Sequence, residues 1–240
     1  MSLFEPSLTV VIPAFNEADN LKVVLPDALR FMSERCVNCT LLLIDDGSKD
    51  GTASVIAEYV AKHPQRVQVI THPRNLGLTA ALRSGFFGAH SELVTWIPAD
   101  GQIPISELDK MLRAYRGEDL LLTTYRHRPD GLWRATMSKT VRIMVRLATG
   151  FADRLEGPYL FRRALIDELN LVCMRSAGSI GLEIAAKSHA LGKRIGSTEI
   201  ECVPRLSGRS KVADLRNIVT YFGEIWLIHR SQSELLASRR

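Results

Sequence analysis

Four short apolar runs alternate with helical patterns in the first half of the chain, and this alternation constrains the fold more than any other feature. The runs predict strands at residues 8–12, 40–44, 67–70 and 93–97, separated by helices at about 16–32, 50–62 and 78–89. Each run is apolar on both faces, so helices should cover both sides of the sheet, as they do in parallel sheets. We therefore expect an α/β fold with a Rossmann-like, mostly parallel sheet.

The second half is predicted to extend this sheet and to add amphipathic helices. Strands are expected at 119–123 and 194–203, and helices at about 133–151, 181–191 and 212–229. The 133–151 helix is basic and amphipathic, a type that can lie in the interface of an anionic membrane. It could equally pack on its own sheet with a solvated basic face. The last ten residues, 231–240, are expected to fray.

Charge is distributed unevenly along the chain. The formal net charge is +5, but residues 126–154 alone contain seven Lys and Arg residues against two acids, Asp130 and Asp153. A local excess of this kind indicates an anionic partner, either phosphate groups or a membrane surface.

The cysteines and the hydropathy pattern suggest the cytoplasm. Cys36 and Cys39 form a lone C-x-x-C pair with no second pair to complete a zinc site, and we expect all four cysteines to be reduced thiols. No run reaches the ~18 apolar residues of a membrane-spanning helix, and no secretory signal is visible at the N-terminus.

Polar clusters follow three of the four strands predicted in the first half. They occupy residues 13–17, 45–48 and 98–102. The carboxyl ends of parallel strands share one edge of the sheet, where ligands bind, so the clusters should converge. Asp100 and Gln102 offer the oxygen ligands that a divalent cation prefers, although an isolated Asp100 could simply cap a turn. Dinucleotide-binding and P-loop motifs are absent from the sequence, so an acidic edge that binds a nucleoside diphosphate would need a metal.

Four stretches resemble the family 2 inverting glycosyltransferases of GT-A fold, in particular the dolichyl- and polyprenyl-phosphate sugar transferases. They are VIPAFNE at 11–17, DDGSKDGT at 45–52, NLGL at 75–78 and ADGQ at 99–102. The second is the most specific, because eight consecutive residues follow the family pattern. The likeness continues through Tyr125 and Arg126, through Arg134 with Ser138, and through RLSGRSK at 205–211, which singles out the polyprenyl-phosphate transferases.

The resemblance implies roles for individual residues. A donor pocket would be lined by Pro13, Phe15, Glu17, Ile44, Asp46, Ala99 and Asp100. Mg²⁺ or Mn²⁺ would be held by Asp100 and Gln102, and the acceptor phosphate would be bound by Arg134, Ser138 and Arg205. Catalysis would depend on Asp100, Arg126, Arg205 and Lys211. The chain departs from the family at Pro98, where an Asp is usual, so one carboxylate near the metal is missing.

The same resemblance implies a metal-dependent transferase of the soluble type, without its own membrane anchor. It would move a hexose from a GDP- or UDP-linked donor to a polyprenyl phosphate, at the cytoplasmic face of a membrane and with no nucleic-acid partner. Residues 1–240 would form one domain, with a donor half at about 8–125 and an acceptor half at about 126–230. Two alternatives stay open: a transferase acting on a saccharide or protein hydroxyl, with Asp153 or Glu183 as the base, and a non-catalytic binding protein.

Overall fold

The computed structural model describes residues 4–36, 38–126, 142–174, 178–204 and 215–238. The strands are β1 (Leu8–Ala14), β2 (Cys39–Asp45), β3 (Val67–Thr71), β4 (Leu93–Trp96), β5 (Leu120–Tyr125), β6 (Leu160–Arg162) and β7 (Ile195–Ile200). The helices are α1 (Ala18–Arg35), α2 (Thr52–Lys62), α3 (Leu78–Gly88), α4 (Ile105–Ala114), α5 (helical over 142–149), α6 (Arg163–Leu169), α7 (Ser179–Ala190) and α8 (Leu215–Ala237).

The described strands form a single sheet in the order β3-β2-β1-β4-β6-β5-β7. β1 pairs in parallel with β2 and β4, β2 pairs in parallel with β3, and β5 pairs in parallel with β7. β6 alone among them runs antiparallel to its neighbours, β4 and β5. The prediction of a mostly parallel sheet is confirmed. The carboxyl ends of β1, β2 and β4 consequently share one edge.

Helices cover both faces of the sheet, as the uniformly apolar strands require. Buried side chains of α1, α2 and α4 form one core against the sheet. Those of α3, α5, α6, α7 and α8 form a second core on the opposite face. Successive strand residues alternate between the cores: in β4, Leu93 packs in the first and Val94 in the second.

Several predicted boundaries differ from the structure. The predicted strand at 194–203 ends at Ile200, and α4 and α6 were not predicted. The helix expected at 133–151 is described only over 142–149, with residues 127–141 outside the described part of the chain. The expectation that residues 231–240 fray is wrong as far as Ala237. α8 continues because Ser231 is buried and the Gln232 side chain donates a 3.0 Å hydrogen bond to the Thr149 carbonyl.

The expectation of four reduced cysteines is also wrong. Cys36 and Cys39 form a disulfide, and Cys173 and Cys202 are thiols. The chain reverses direction between the end of α1 and the start of β2, which brings the two Cα atoms to 5.7 Å, within the range that a disulfide needs. The C-x-x-C spacing alone did not disclose this reversal.

Within the described ranges, no helix combines the length and the apolar character that crossing a bilayer demands.

Candidate functional site

The loops that follow β1 and β2 are fastened to each other by hydrogen bonds. The Asn16 N–H donates to the Ser48 hydroxyl at 3.0 Å, and the Lys49 N–H donates to the Asn16 side-chain oxygen at 2.8 Å. The Glu17 N–H donates to the Thr52 hydroxyl at 2.9 Å. Asn16 has a φ of +55°, a conformation that Asn tolerates better than most residues. The first two polar clusters therefore meet, as predicted.

Asp50 strengthens this junction through its carboxylate. One oxygen accepts the Thr52 N–H at 2.9 Å and the other accepts the Ala18 N–H at 3.3 Å. Partial burial works against ionisation of Asp50, but the hydrogen bonds from Thr52 and Ala18 prevail and hold the pKa of this carboxyl below its ordinary value. Asp50 thus stays ionised at neutral pH and ties the start of α2 to the start of α1.

Asp46 anchors the segment that leads into α3. Its Oδ1 accepts the Leu76 N–H at 2.9 Å and lies 2.7 Å from the Nδ1 of His72, and its Oδ2 accepts the Gly77 N–H at 2.8 Å. The other ring nitrogen of His72 lies 2.9 Å from the Ser84 hydroxyl, on α3. The buried carboxylate therefore orients residues 72–77 at the sheet edge.

Gly47 allows residues 72–77 to lie directly against the loop after β2. Its φ is +70°, and a Cβ there would come within 2.4 Å of the Arg74 carbonyl carbon. No side chain could be placed at position 47 without moving this backbone. The DDG sequence at 45–47 thus has a local structural explanation alongside its resemblance to a family motif.

The third cluster forms a tight turn directly after β4. The carboxylate of Asp100 accepts the Gln102 N–H at 3.0 Å, and Gly101 adopts a φ of +72°. Asp100 is only 6 % exposed. The Gln102 carbonyl accepts the Val203 N–H at 2.9 Å, which brings the chain leaving β7 to the same edge. The turn is therefore built from both halves of the sequence.

The side chains of this turn suit a cation that the protein holds only in part, with a bound substrate and water supplying the other contacts. No three His, Cys, Asp or Glu side chains cluster as a metal site in the described ranges. Asp100 and Gln102 supply a carboxylate and an amide oxygen, both of which suit Mg²⁺ or Mn²⁺. Such a site matches cations that take one or two protein carboxylates and complete their shell with phosphate oxygens and water.

The remaining predicted donor residues lie at or just below this edge. Pro13, Phe15 and Glu17 are half-buried, and Ala99 is buried in the first core. Ile44 is fully buried in the second core.

The structure describes only one of the predicted phosphate-binding and catalytic basic residues, Arg126. Arg134, Ser138, Arg205 and Lys211 lie outside the described residues. Arg126 follows β5 and donates its N–H to the Ile200 carbonyl at 3.0 Å. Its side chain is 3.5 Å from the Glu199 carboxylate, with both side chains about 60 % exposed (59 % and 61 %). Arg126 is therefore accessible at the end of its strand.

Glu183 does not face the sheet edge, contrary to the expectation that it could act as a base there. It is completely buried, and its carboxylate accepts the N–H groups of Val172 and Cys173 at 2.7 and 2.8 Å. Lys187, also fully buried, is paired with it at 2.6 Å and donates to the Asn170 carbonyl at 2.7 Å. The pair fixes the connection between α6 and α7. Asp153, the other candidate base, is exposed.

A cavity of about 360 Å³ lies beside the turn, on the face covered by α3, α5 and α7. Its lining includes Trp96 at the end of β4 and Tyr159 just before β6. The antiparallel register, in which Thr95 opposes Leu160, places these two aromatic residues side by side with ring centroids 6.2 Å apart. Sequence reasoning missed the cavity, and His72 with it, because no sequence signal showed that β6 runs antiparallel or where residue 72 lies.

Comparison with known proteins agrees with this architecture. The chain is 33% identical over 207 residues to an undecaprenyl-phosphate 4-deoxy-4-formamido-L-arabinose transferase from Aeromonas hydrophila, a match that covers 85% of this chain and 62% of the relative. The transferase of the same name from Proteus mirabilis is 32% identical over 226 residues, covering 91% of this chain and 67% of the relative. The chain thus spans roughly two thirds of these relatives or less.

Solved structures of glycosyltransferases share the fold. A mannosyltransferase from Pyrobaculum calidifontis, in complex with GDP-Man and Mn²⁺, superposes with a TM-score of 0.66 at 19% identity, covering 96% of this chain and 70% of that one. Mannosyl-3-phosphoglycerate synthase from Rubrobacter xylanophilus gives 0.67 at 19% identity, covering 93% and 73%. The predicted GT-A fold is confirmed. A family model described as glycosyl transferase family 2 matches residues 9–177, and the chain belongs to this family.

Proposed function

We propose that the chain transfers a sugar, with inversion, from a nucleoside-diphosphate donor to a polyprenyl phosphate. The observation that carries the proposal is that three strand-end loops lie at one edge of the sheet: the loops after β1 and β2 are hydrogen-bonded to each other, and the turn after β4 presents Asp100. The curated relatives are undecaprenyl-phosphate transferases by name, which supports the acceptor. Their sugar is a modified arabinose, so we propose no particular hexose.

The donor would lie across the joined loops, with its base and ribose near Pro13, Phe15 and Glu17. Asp46 would act on it indirectly, because its carboxylate oxygens already accept the N–H groups of Leu76 and Gly77. A divalent cation bound at Asp100 and Gln102 would offset the charge that develops on the departing nucleoside diphosphate.

A phosphate acceptor suits the groups that this chain offers. The second pKa of a phosphate monoester is ~6, so its oxygen is already a nucleophile at neutral pH and needs no strong base. Glu183 is committed to Lys187 and to two backbone amides, so one of the two candidate bases for a hydroxyl acceptor is removed. Arg126, Arg134, Arg205 and Lys211 would align the phosphate, and catalysis would rest on placement and electrostatics.

Contact with a membrane surface is supported by α5 and α8. The two helices meet where the Gln232 side chain bonds the Thr149 carbonyl and His229 contacts the Ala148 carbonyl. Their outward faces expose large apolar side chains, at Ile143, Met144 and Leu147 on α5 and at Trp226 and Leu227 on α8. Arg146 and Arg230 are exposed on the same helices. Apolar and cationic side chains together suit the interface of an anionic membrane.

The proposal is tested by incubating the purified protein with Mn²⁺, labelled UDP- or GDP-sugars and undecaprenyl phosphate in detergent. We expect label in the lipid phosphate, with the anomeric configuration inverted relative to the donor. Label that appears only on an added saccharide would favour the hydroxyl-acceptor alternative. Donor binding without turnover for any sugar would favour a binding protein.

A further inference from the structure

The cavity beside the turn is lined in part by aliphatic and aromatic side chains. α3 contributes Leu78 and Leu82, α5 contributes Val145, and the start of α7 contributes Ile180 and Leu182. The loop before β6 adds Phe151 and Leu155. At about 360 Å³, the cavity is in the size range of small-molecule sites.

Trp96 and Tyr159 add aromatic surface to the lining. The indole nitrogen of Trp96 and the hydroxyl oxygen of Tyr159 are both buried away from solvent and have no hydrogen-bond partner among the described residues. Burial also raises the pKa of the Tyr159 hydroxyl, so this group stays neutral. A branched hydrocarbon would pack against the aliphatic and aromatic part of this lining.

Four charged side chains also line the cavity. They are Arg142 on α5 and Asp153, Arg154 and Glu156 on the loop. Glu156 is already engaged, since its carboxylate accepts the Tyr125 N–H at 3.0 Å. The two guanidinium groups suit the phosphate of an amphiphile whose chain lies among the apolar residues.

α5 lies between this cavity and the exterior. Val145 and Arg142 line the cavity, whereas Leu147 on the same helix is 82 % exposed. α5 therefore carries an apolar residue on the face toward the cavity and another on the face toward the exterior.

We propose that this cavity holds the first isoprene units of the prenyl-phosphate acceptor, with Arg142 and Arg154 facing its phosphate. The proposal rests on the function proposed above, since it assigns the place where that acceptor binds. It makes Val145, Leu82 and Leu182 determinants of acceptor specificity.

The test measures binding of farnesyl phosphate by calorimetry, below its critical micelle concentration and without donor. Val145→Phe fills the cavity from α5, and Ala152→Phe fills it from an exposed loop residue that is not part of the core. Val69→Phe, on the exposed edge strand β3, is the size-matched control. Each buried methylene changes affinity by roughly fourfold, so excluding even two carbons should weaken binding at least tenfold.

We expect both filled variants to lose at least tenfold in affinity for farnesyl phosphate and the control to match the wild type. We also expect the wild type to bind geranyl phosphate more tightly than dimethylallyl phosphate. Unchanged binding in both filled variants would overturn the proposal. Equal affinity for unbranched pentadecyl phosphate would overturn the isoprene assignment. The outcomes separate the two proposals. If both filled variants still transfer sugar to undecaprenyl phosphate as the wild type does, only the cavity proposal is refuted. If the filled variants bind farnesyl phosphate more weakly but the wild type transfers no sugar, only the proposed enzymatic function is refuted.

Discussion

The backbone N–H of Val203 donates a 2.9 Å hydrogen bond to the carbonyl oxygen of Gln102. Gln102 lies in the turn after β4, and Val203 lies three residues beyond β7, so the bond joins segments about a hundred residues apart. Arg205 follows two residues later in the sequence. The bond thus holds Val203, two residues before the basic 205–211 sequence, next to the turn that carries the proposed cation site.

Arg205→Ala should therefore raise the KM for the polyprenyl phosphate far more than the KM for the donor. Loss of one charge-assisted contact to phosphate corresponds to about 1.5–3 kcal/mol, or roughly ten- to a hundredfold. Steady-state kinetics with each substrate varied in turn would measure the split. Arg116→Ala is the matched control, because Arg116 is exposed and its side chain bonds only the carbonyls of Arg113 and Tyr115 in the described chain. An equal rise in both KM values would assign Arg205 to the donor.

Asp100→Asn should abolish transfer while leaving the turn folded. The Asn side chain keeps an oxygen that can accept the Gln102 N–H, so the substitution removes the charge and little else. We expect kcat to fall by about a hundredfold or more, as when one electrostatic contact to a leaving group is lost, with an unchanged melting temperature. Donor-dependent Mn²⁺ binding, followed by calorimetry, should weaken in parallel. Activity near that of the wild type would show that the metal assignment is wrong.

The sequence predicted the parallel part of the fold well for a physical reason. Strands that are apolar on both faces leave few arrangements other than a sheet covered on both sides, so β1 to β4 and their loops could be placed in advance. The hydrogen bonds that side chains in those loops make could not be predicted. That Asp46 lines a donor pocket stays a prediction, but its hydrogen bonds to the N–H groups of Leu76 and Gly77 could not be foreseen, because the position of those groups depends on how α3 packs.

Features that depend on the second half were harder to predict. β6 has only three residues, and a strand so short carries no periodicity that could show its antiparallel direction. The cavity that Trp96 and Tyr159 line depends on that direction and was missed for the same reason. Glu183 looked available from its position on a predicted helix, but its pairing with Lys187 and the amides of residues 172 and 173 requires the packing of α6 against α7.

Leu147→Glu should weaken binding to anionic vesicles without affecting transfer to a short, water-soluble prenyl phosphate. Leu147 is 82 % exposed on α5, so an acid there should disturb the lipid contact and not the core. Sedimentation with vesicles containing phosphatidylglycerol would measure binding, and we expect a loss of several-fold that added salt reduces, because salt screens the repulsion between the new carboxylate and the anionic lipid. Leu76→Glu, an exposed leucine outside α5 and α8, is the matched control for vesicle binding. Unchanged sedimentation of the Leu147 variant would contradict the membrane role of α5.

Lys187→Met should destabilise the protein strongly. The substitution leaves the Glu183 carboxylate buried without its partner cation, a change that typically costs about 3–5 kcal/mol in the free energy of unfolding. Adding Glu183→Gln should recover part of the loss, because the unpaired charge is then gone. Lys62→Met is the control, since the exposed Lys62–Glu58 pair has the same i,i+4 spacing and should contribute nothing measurable. Urea denaturation of the four proteins tests this, and a double variant less stable than Lys187→Met would refute the charge argument.

Asp50→Ala should reveal a contribution to stability that depends on pH. The folded state holds the pKa of Asp50 below its ordinary value of 3.8, because the hydrogen bonds from Thr52 and Ala18 outweigh the effect of burial. A lowered pKa means that the contribution is present above the unfolded pKa and is lost as the pH falls through the folded one. We expect the variant to be about 1 kcal/mol less stable at pH 7, which is the usual cost of losing a helix cap. The cost is no larger because solvent screens the Coulombic part of the interaction at this exposed site. Urea midpoints of the two proteins should converge as the pH falls below 3.8 and through the lowered pKa of the folded state. A gap that stayed constant across this range would assign the stabilisation to the shape of the side chain and not to its charge.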